Sequence, residues 1–121
     1  MTGVRKRDVI IAKLAGAMRA VLEESADLGI TIDVLEKKAA EIEELLERDF
    51  ASNPHAHKTK FLQILRNLRD ENNSQLRLRV AVGHLECSEL MVLSAIEMAP
   101  EQVGRFKEEE EEDFFFFFFF V

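Results

Sequence analysis

Apolar residues recur every three or four positions along the first half of the chain, with charged residues between them. This spacing is typical of amphipathic helices. It predicts a first helix over residues 5–24 and a second that starts at Asp33, where Asp33 and Glu36 have the spacing of a capping box. The glutamates of the second helix are expected to face solvent. The apolar positions of the two helices are Ile11, Leu14, Met18, Val21 and Leu22, then Leu35, Ala39, Ile42, Leu46 and Phe50.

The third predicted helix, residues 54–70, has two distinct faces. Asn53 and Pro54 end the preceding helix and supply an N-cap and a first-turn proline for this one. A rotation of about 100° per residue places its apolar side chains on one edge and a basic row, interrupted by Leu62, beside them. The apolar edge consists of Phe61, Ile64, Leu65 and Leu68, and the row consists of Lys58, Leu62, Arg66 and Arg69.

Shorter elements complete the pattern. Residues 72–73 predict a turn, followed by a short helix that Ser74 caps and Gly83 ends. Two short helical pieces follow, and in the second Ser94 and Glu97 have capping-box spacing. The predicted fold class is therefore all-α, a three-helix bundle with additional short helices. Its core is expected to contain Leu14, Met18, Leu35, Ile42, Leu46, Phe61, Leu65 and Leu68.

Composition and charge support a single helical domain. The 121 residues include two prolines and five glycines and lack Tyr and Trp, which favours helices over a β-sandwich or barrel. The net charge is −7, but the run 108–113 contributes six of those negative charges. In the remainder the charges are segregated, since residues 21–49 are acidic and residues 55–80 are basic. Segregated charge favours docking to a charged partner.

Two regions differ in kind along the chain. Residues 1–107 are predicted to form the helical domain. Residues 108–121 are a low-complexity run of acidic residues and phenylalanines without helical or strand periodicity. We expect this tail to be disordered or an artefact of gene modelling or of translation through a nucleotide repeat, with a membrane or partner anchor as the remaining alternative. Its apolar stretch of eight residues is too short to span a bilayer as a helix.

No pattern of catalytic or metal-binding residues stands out. His55, His57, His84 and Cys87 lack the close, paired spacing of a structural zinc site, and we interpret them as loop histidines and a half-buried cysteine. The lone Cys87 fits a reducing compartment, and its acidic neighbours are expected to raise its pKa. The sequence therefore predicts neither an enzyme nor a cofactor or metal site.

A set of motifs in the second half resembles a known family. In order along the chain they are Asn67-Leu68-Arg69-Asp70, Asn72-Asn73, Leu76-Arg77, Val80, Gly83 and Glu97-Met98-Ala99. Together they resemble the signature of the central domain of transcription elongation factor S-II, and the resemblance covers about residues 7–106. It implies a nuclear, monomeric helical domain that docks on RNA polymerase II, in its large-subunit region. It implies no membrane contact, and contact with nucleic acid only indirectly.

The chain also departs from the family's pattern. His57 stands where the family usually has Tyr, Leu62 where it has Arg, and residues 86–87 where it often has Thr-Pro. Because Leu62 lies in the middle of the basic row, its presence is expected to weaken docking. No paired Cys-x-x-Cys motifs of a zinc ribbon are present in the 121 residues. The resemblance thus implies a domain that docks but does not stimulate transcript cleavage.

The candidate partner-binding residues are all basic. Clustered guanidinium and ammonium groups suit carboxylate or phosphate partners. The opposing hypothesis is a solvated face neutralised by the acidic second helix. Two other functions remain open, a nucleic-acid-binding helical domain and a helical interaction scaffold that has lost polymerase binding. The candidate set is Lys58, Lys60, Arg66, Arg69, Arg77 and Arg79.

Overall fold

The computed structural model describes residues 5–100, and the regular secondary structure in that range is helical, which confirms the all-α prediction. None of these helices is both long and apolar enough to cross a membrane. The predicted domain end at residue 107 and the tail 108–121 lie outside the described residues. The elements are α1 (Lys6–Met18), α2 (Val21–Glu24), a 3-10 turn (Ala26–Leu28), α3 (Ile32–Phe50), α4 (Pro54–Arg69), α5 (Ser74–Val82), α6 (Cys87–Val92) and α7 (Ala95–Met98).

Three long helices, α1, α3 and α4, pack against one another around one core. The short helices cover its ends and sides: α5 packs on α2, α3 and α4, α6 packs on α3, and α7 packs on α4. The predicted bundle with appended short helices is therefore confirmed. The apolar side chains buried almost completely are Leu14, Met18, Val21, Leu35, Ala39, Ile42, Leu46, Ile64, Leu68, Leu76, Val80, Cys87, Leu90 and Met98.

Phe61 and Glu43 differ from their predicted faces. Phe61 is half-buried at the margin of the core, whereas Ile64 on the next turn is fully buried. Glu43, predicted to face solvent, is only 5% exposed, and Arg7 Nε of α1 donates a hydrogen bond to its Oε1 at 2.8 Å. Acidic residues are almost never buried unless they are paired, and α1 provides that pair.

The first predicted helix is divided into two. α1 ends at Met18, and the next backbone bonds, from Arg19 N to Gly16 O and from Leu22 N to Arg19 O, follow the tighter spacing of three residues. Gly16 has low helix propensity and lies in the last turn of α1. The tightened segment lets α2 leave the direction of α1 and approach α5.

Capping residues fix the other boundaries. Thr31, not Asp33, caps α3, and its Oγ1 accepts the N–H three residues further on at 3.4 Å. Asn53 caps α4 as predicted, with its Oδ1 accepting the N–H three residues further on at 3.1 Å. Gly83 ends α5 as predicted, in a left-handed conformation with φ of 86° that glycine adopts without steric cost. The predicted capping box at the start of α7 is also present.

Candidate interaction surface

The basic row of α4 lies on the outside of the bundle. Lys58, Arg66 and Arg69 are exposed, and Leu62 is half-buried between them. The opposite edge of the helix is buried in the core, so packing fixes which way the row faces. The structure therefore brings together three of the six candidate cations on one solvent-facing stripe.

The carboxylates of α3 do not neutralise this stripe. Within residues 5–100, none of its three cations lies within ion-pair distance of a carboxylate. Of the glutamates of α3, Glu43 pairs with Arg7, and Glu47 Oε1 lies 3.8 Å from His57 Nε2. The hypothesis that the acidic helix satisfies the basic row is therefore not supported in the described part of the chain.

Arg77 lies inside the protein, unlike the sequence prediction of an exposed partner-binding residue. It is 1% exposed. Its Nε and Nη2 donate to the Glu24 carboxylate at 3.1 and 2.6 Å, and its Nη1 donates to the backbone oxygens of Leu68 and Asp70 at 2.9 and 2.6 Å. The guanidinium thus joins α2 to the end of α4 and presents no donor to a partner.

Lys60 is also turned inward, again unlike the sequence prediction. It is 9% exposed, and its Nζ donates to the backbone oxygen of Leu93 in the link between α6 and α7. Burial lowers the pKa of Lys60, and the nearby carboxylate of Glu97 partly opposes that shift. A lysine in this setting holds the α6–α7 link against α4, so it is unsuited to partner binding.

Arg79, the remaining candidate, lies on α5 and is half-buried. Its Nε is buried without a hydrogen-bond partner among the described residues. It therefore belongs neither to the exposed row of α4 nor to the buried network around Arg77.

The motif residues that carry the family resemblance build the turn between α4 and α5. Asp70 Oδ1 accepts Asn72 N at 2.9 Å, and Asp70 O accepts Asn73 N at 2.9 Å. Asn73 is fully buried and occupies the N-cap position predicted for Ser74, but its Nδ2 donates to the Met98 backbone oxygen at 2.8 Å instead of capping α5. The sequence pattern does not predict this role, although the polar pair at the predicted turn is a signal for it.

Cys87 is a free, buried cysteine whose surroundings disfavour the thiolate. Burial, followed by the charge of Glu41, raises the pKa of Cys87 to about 12. The prediction of a raised pKa is confirmed, but its main cause is burial, with the adjacent Glu86 as a smaller contribution. Among residues 5–100, no three His, Cys, Asp or Glu side chains are grouped closely enough to hold a metal ion.

Comparison with known proteins gives matches over most of the chain. The family described as transcription factor S-II (TFIIS), central domain, matches residues 2–116. The SPOC domain-containing protein 1 of Mus musculus is 30% identical over 102 residues, which are 84% of this chain and 10% of that protein. The transcription elongation factor TFIIS of Arabidopsis thaliana is 38% identical over 64 residues, which are 53% of this chain and 17% of that protein. The chain thus spans a small part of the length of either relative.

Proposed function

The chain belongs to the transcription factor S-II (TFIIS) central-domain family, and we propose that it docks on RNA polymerase II, in the large-subunit region, as a module of a transcription elongation factor. The docking unit is the helical domain of residues 1–107, acting as a monomer in the nucleus. The observation that supports this most directly is the exposed row of Lys58, Arg66 and Arg69 on α4, which has no carboxylate partner within residues 5–100.

This row of cations is expected to increase the rate at which the domain encounters an acidic partner surface and to set the orientation in which it docks. An exposed ion pair contributes only about 0–1 kcal/mol, so three such cations do not by themselves give tight binding. A row of like charges on a rigid helix does steer association with an acidic surface and fixes the docked orientation. We therefore expect the polymerase contact to weaken as salt increases, since exposed charges are screened.

The proposed role is confined to docking. The S-II central domain is a non-catalytic interaction domain. The 121 residues contain one cysteine, Cys87, and so cannot supply the paired cysteines of a zinc ribbon. Stimulation of transcript cleavage is accordingly no part of the proposal.

Charge reversal on α4 tests the proposal. The double variant Arg66→Glu/Arg69→Glu should retain the helical circular dichroism of the native chain but lose at least about 90% of the RNA polymerase II captured in a pull-down at roughly 0.15 M salt. The matched control is Arg19→Glu/Lys37→Glu, which reverses one exposed cation directly after α1 and one on α3. Undiminished capture by the α4 variant would show that the row is not the docking surface.

Nucleic-acid binding through the same cations is the competing function. The native chain should then bind DNA or RNA in the absence of polymerase, with an affinity that falls steeply as salt rises. An electrophoretic mobility assay without polymerase separates the two functions. A helical scaffold that has lost polymerase binding would give neither signal.

A further inference from the structure

A groove of about 870 Å³ lies between α1, the end of α3 and the start of α4. Its volume is in the range of cavities that bind ligands. Its floor is apolar: Val9 of α1 is 39% exposed there, and the half-buried rings of Phe50 and Phe61 line the opposite side. Because Phe61 contributes to this floor, its side chain is only partly withdrawn from water. Ile10, Ala51 and Pro54 complete the floor.

The rim of the groove is positively charged. Arg5, Lys6, Lys13 and Lys58 line it and are exposed, and none pairs with a carboxylate of residues 5–100. The lining also contains two acidic residues: Glu43 pairs with Arg7, and Glu47 Oε1 lies 3.8 Å from His57 Nε2. The groove therefore combines an apolar floor with a net positive charge along its edges, since five Lys and Arg side chains line it together with two glutamates.

We propose that this groove binds an acidic amphipathic helix of a partner protein. Apolar side chains of that helix would lie on the Val9 and Phe61 floor, while its carboxylates would meet Lys6 and Lys13. A helix suits the site because one helix packs its side-chain ridges into the groove between two others. α1 has 13 residues and so presents about 20 Å of edge, which matches three to four turns of a bound helix.

The groove and the row on α4 overlap at one residue and are otherwise distinct. Lys58 belongs to both, but Arg66 and Arg69 do not line the groove, and Lys6 and Lys13 lie on α1. A chain docked on RNA polymerase II through α4 would thus keep the α1 edge of the groove for a second partner. Variants at residues that belong to one surface alone can test each without the other.

The test is a binding titration with a defined probe. The probe is a fluorescein-labelled peptide of about fourteen residues with Leu and Phe at helical spacing and Glu at the other positions. With the full 121-residue chain at roughly 0.15 M salt, we expect saturable binding with a Kd below about 100 µM in fluorescence anisotropy. A peptide of the same composition in scrambled order, without an apolar face, should bind at least about tenfold more weakly.

Two variants of the chain locate the site. Lys13→Glu should weaken probe binding at least about tenfold, and Val9→Asp, which places a charge on the floor, should do the same. The matched control Lys37→Glu reverses an exposed lysine of α3 outside the groove and should leave the Kd unchanged. Arg66→Glu/Arg69→Glu should also leave it unchanged, so a failure of polymerase docking and a failure of this proposal give different patterns.

Several outcomes would overturn the proposal. If the scrambled peptide binds with the same Kd, or if Lys37→Glu weakens probe binding as much as Lys13→Glu does, the binding is non-specific charge attraction. Sedimentation of the native chain as a dimer that Lys13→Glu dissociates would assign the groove to a second copy. Probe binding that appears only after the acidic residues 108–113 are replaced by serine would assign it to the chain's own acidic run.

Discussion

Arg77 and Glu24 are separated by 53 positions in the sequence, yet they form a bidentate ion pair, with Nη2 to Oε2 at 2.6 Å and Nε to Oε1 at 3.1 Å. The arginine side chain is 2% exposed and that of the glutamate 32%. Parallel N–H donors of this kind match a carboxylate in geometry as well as charge. The pair therefore fixes the position of α2, a helix of only four residues, on α5.

Removal of the Arg77 guanidinium should destabilise the fold strongly. Arg77→Ala leaves the backbone oxygens of Leu68 and Asp70 without their donor, which costs about 1–3 kcal/mol, and removes the partner of Glu24, whose carboxylate stays partly in water. Urea denaturation followed by circular dichroism measures the change. The exposed Arg69→Ala serves as control and should change the free energy of unfolding by less than about 0.5 kcal/mol. A similar small change for both variants would refute the structural role of Arg77.

Asn73 should be needed for the attachment of α7. Asn73→Ala removes the donor to the Met98 backbone oxygen and leaves a buried acceptor unpaired, which costs about 1–3 kcal/mol. Faster amide hydrogen exchange in α7 is expected together with the loss of stability. Asn72→Ala, at an exposed neighbouring position, provides the comparison. If the amides of α7 exchange at the same rate in both variants, the Asn73 side chain does not hold α7 in place.

The Cys87 thiol should be unreactive in the folded chain. A rise of its pKa from 9.0 to about 12 lowers the thiolate population at pH 8 by roughly a thousandfold, and burial also blocks access. We expect Ellman's reagent to react at least about a hundredfold more slowly with the native chain than with the urea-unfolded chain. Comparable rates in the two states would contradict the burial of this side chain.

The same shift predicts a pH dependence of stability. Because the pKa of Cys87 is higher in the folded state, its contribution is complete below the ordinary value of 9.0 and is lost as pH rises towards 12. Stability profiles of the native chain and of Cys87→Ala should therefore converge above pH 9. Parallel profiles across that range would exclude the contribution. The comparison cancels the titration of the lysines, which both chains share.

Leu62→Arg should strengthen polymerase docking. The substitution extends the exposed row across its gap between Lys58 and Arg66, and a half-buried position allows a long side chain to place its charged end in water. The expected gain is a few-fold more polymerase captured at roughly 0.15 M salt, and it should shrink at higher salt. Leu62→Gln adds a polar group without charge and is the control. Equal capture by the native chain and Leu62→Arg would indicate that the row does not contact the polymerase.

The faces of α4 could be predicted because its 16 residues cover more than four turns, enough for the helical period to separate the core edge from the basic row. The burial of Arg77 could not. α5 has nine residues, and the residue that neutralises Arg77 comes from α2, far away in sequence. Lys60 is similar, because its acceptor Leu93 belongs to a link that folds back onto α4. Local periodicity contains no information about such distant partners.

The groove could not be predicted from the sequence for a related reason. Its floor combines Val9, Phe50 and Phe61 from three helices, and each of them is an ordinary apolar position in its own helix. A concave surface arises only from the way the three helices are assembled. The basic residues near the start of α1 were visible in the sequence, but their position beside α4 was not.

Asn73 and Arg77, near the turn between α4 and α5, help to identify the family of this chain, but they are not residues that a partner could contact. Asn73 and Arg77 of the motif that marks the family make internal hydrogen bonds, whereas Lys58 and Arg66, two of the three exposed cations of α4, lie outside that motif. Substitutions on the outer stripe can therefore redirect the domain to another surface while its scaffold stays recognisable. The motif therefore predicts the fold of the domain, whereas its partner depends on the side chains that the fold exposes to solvent.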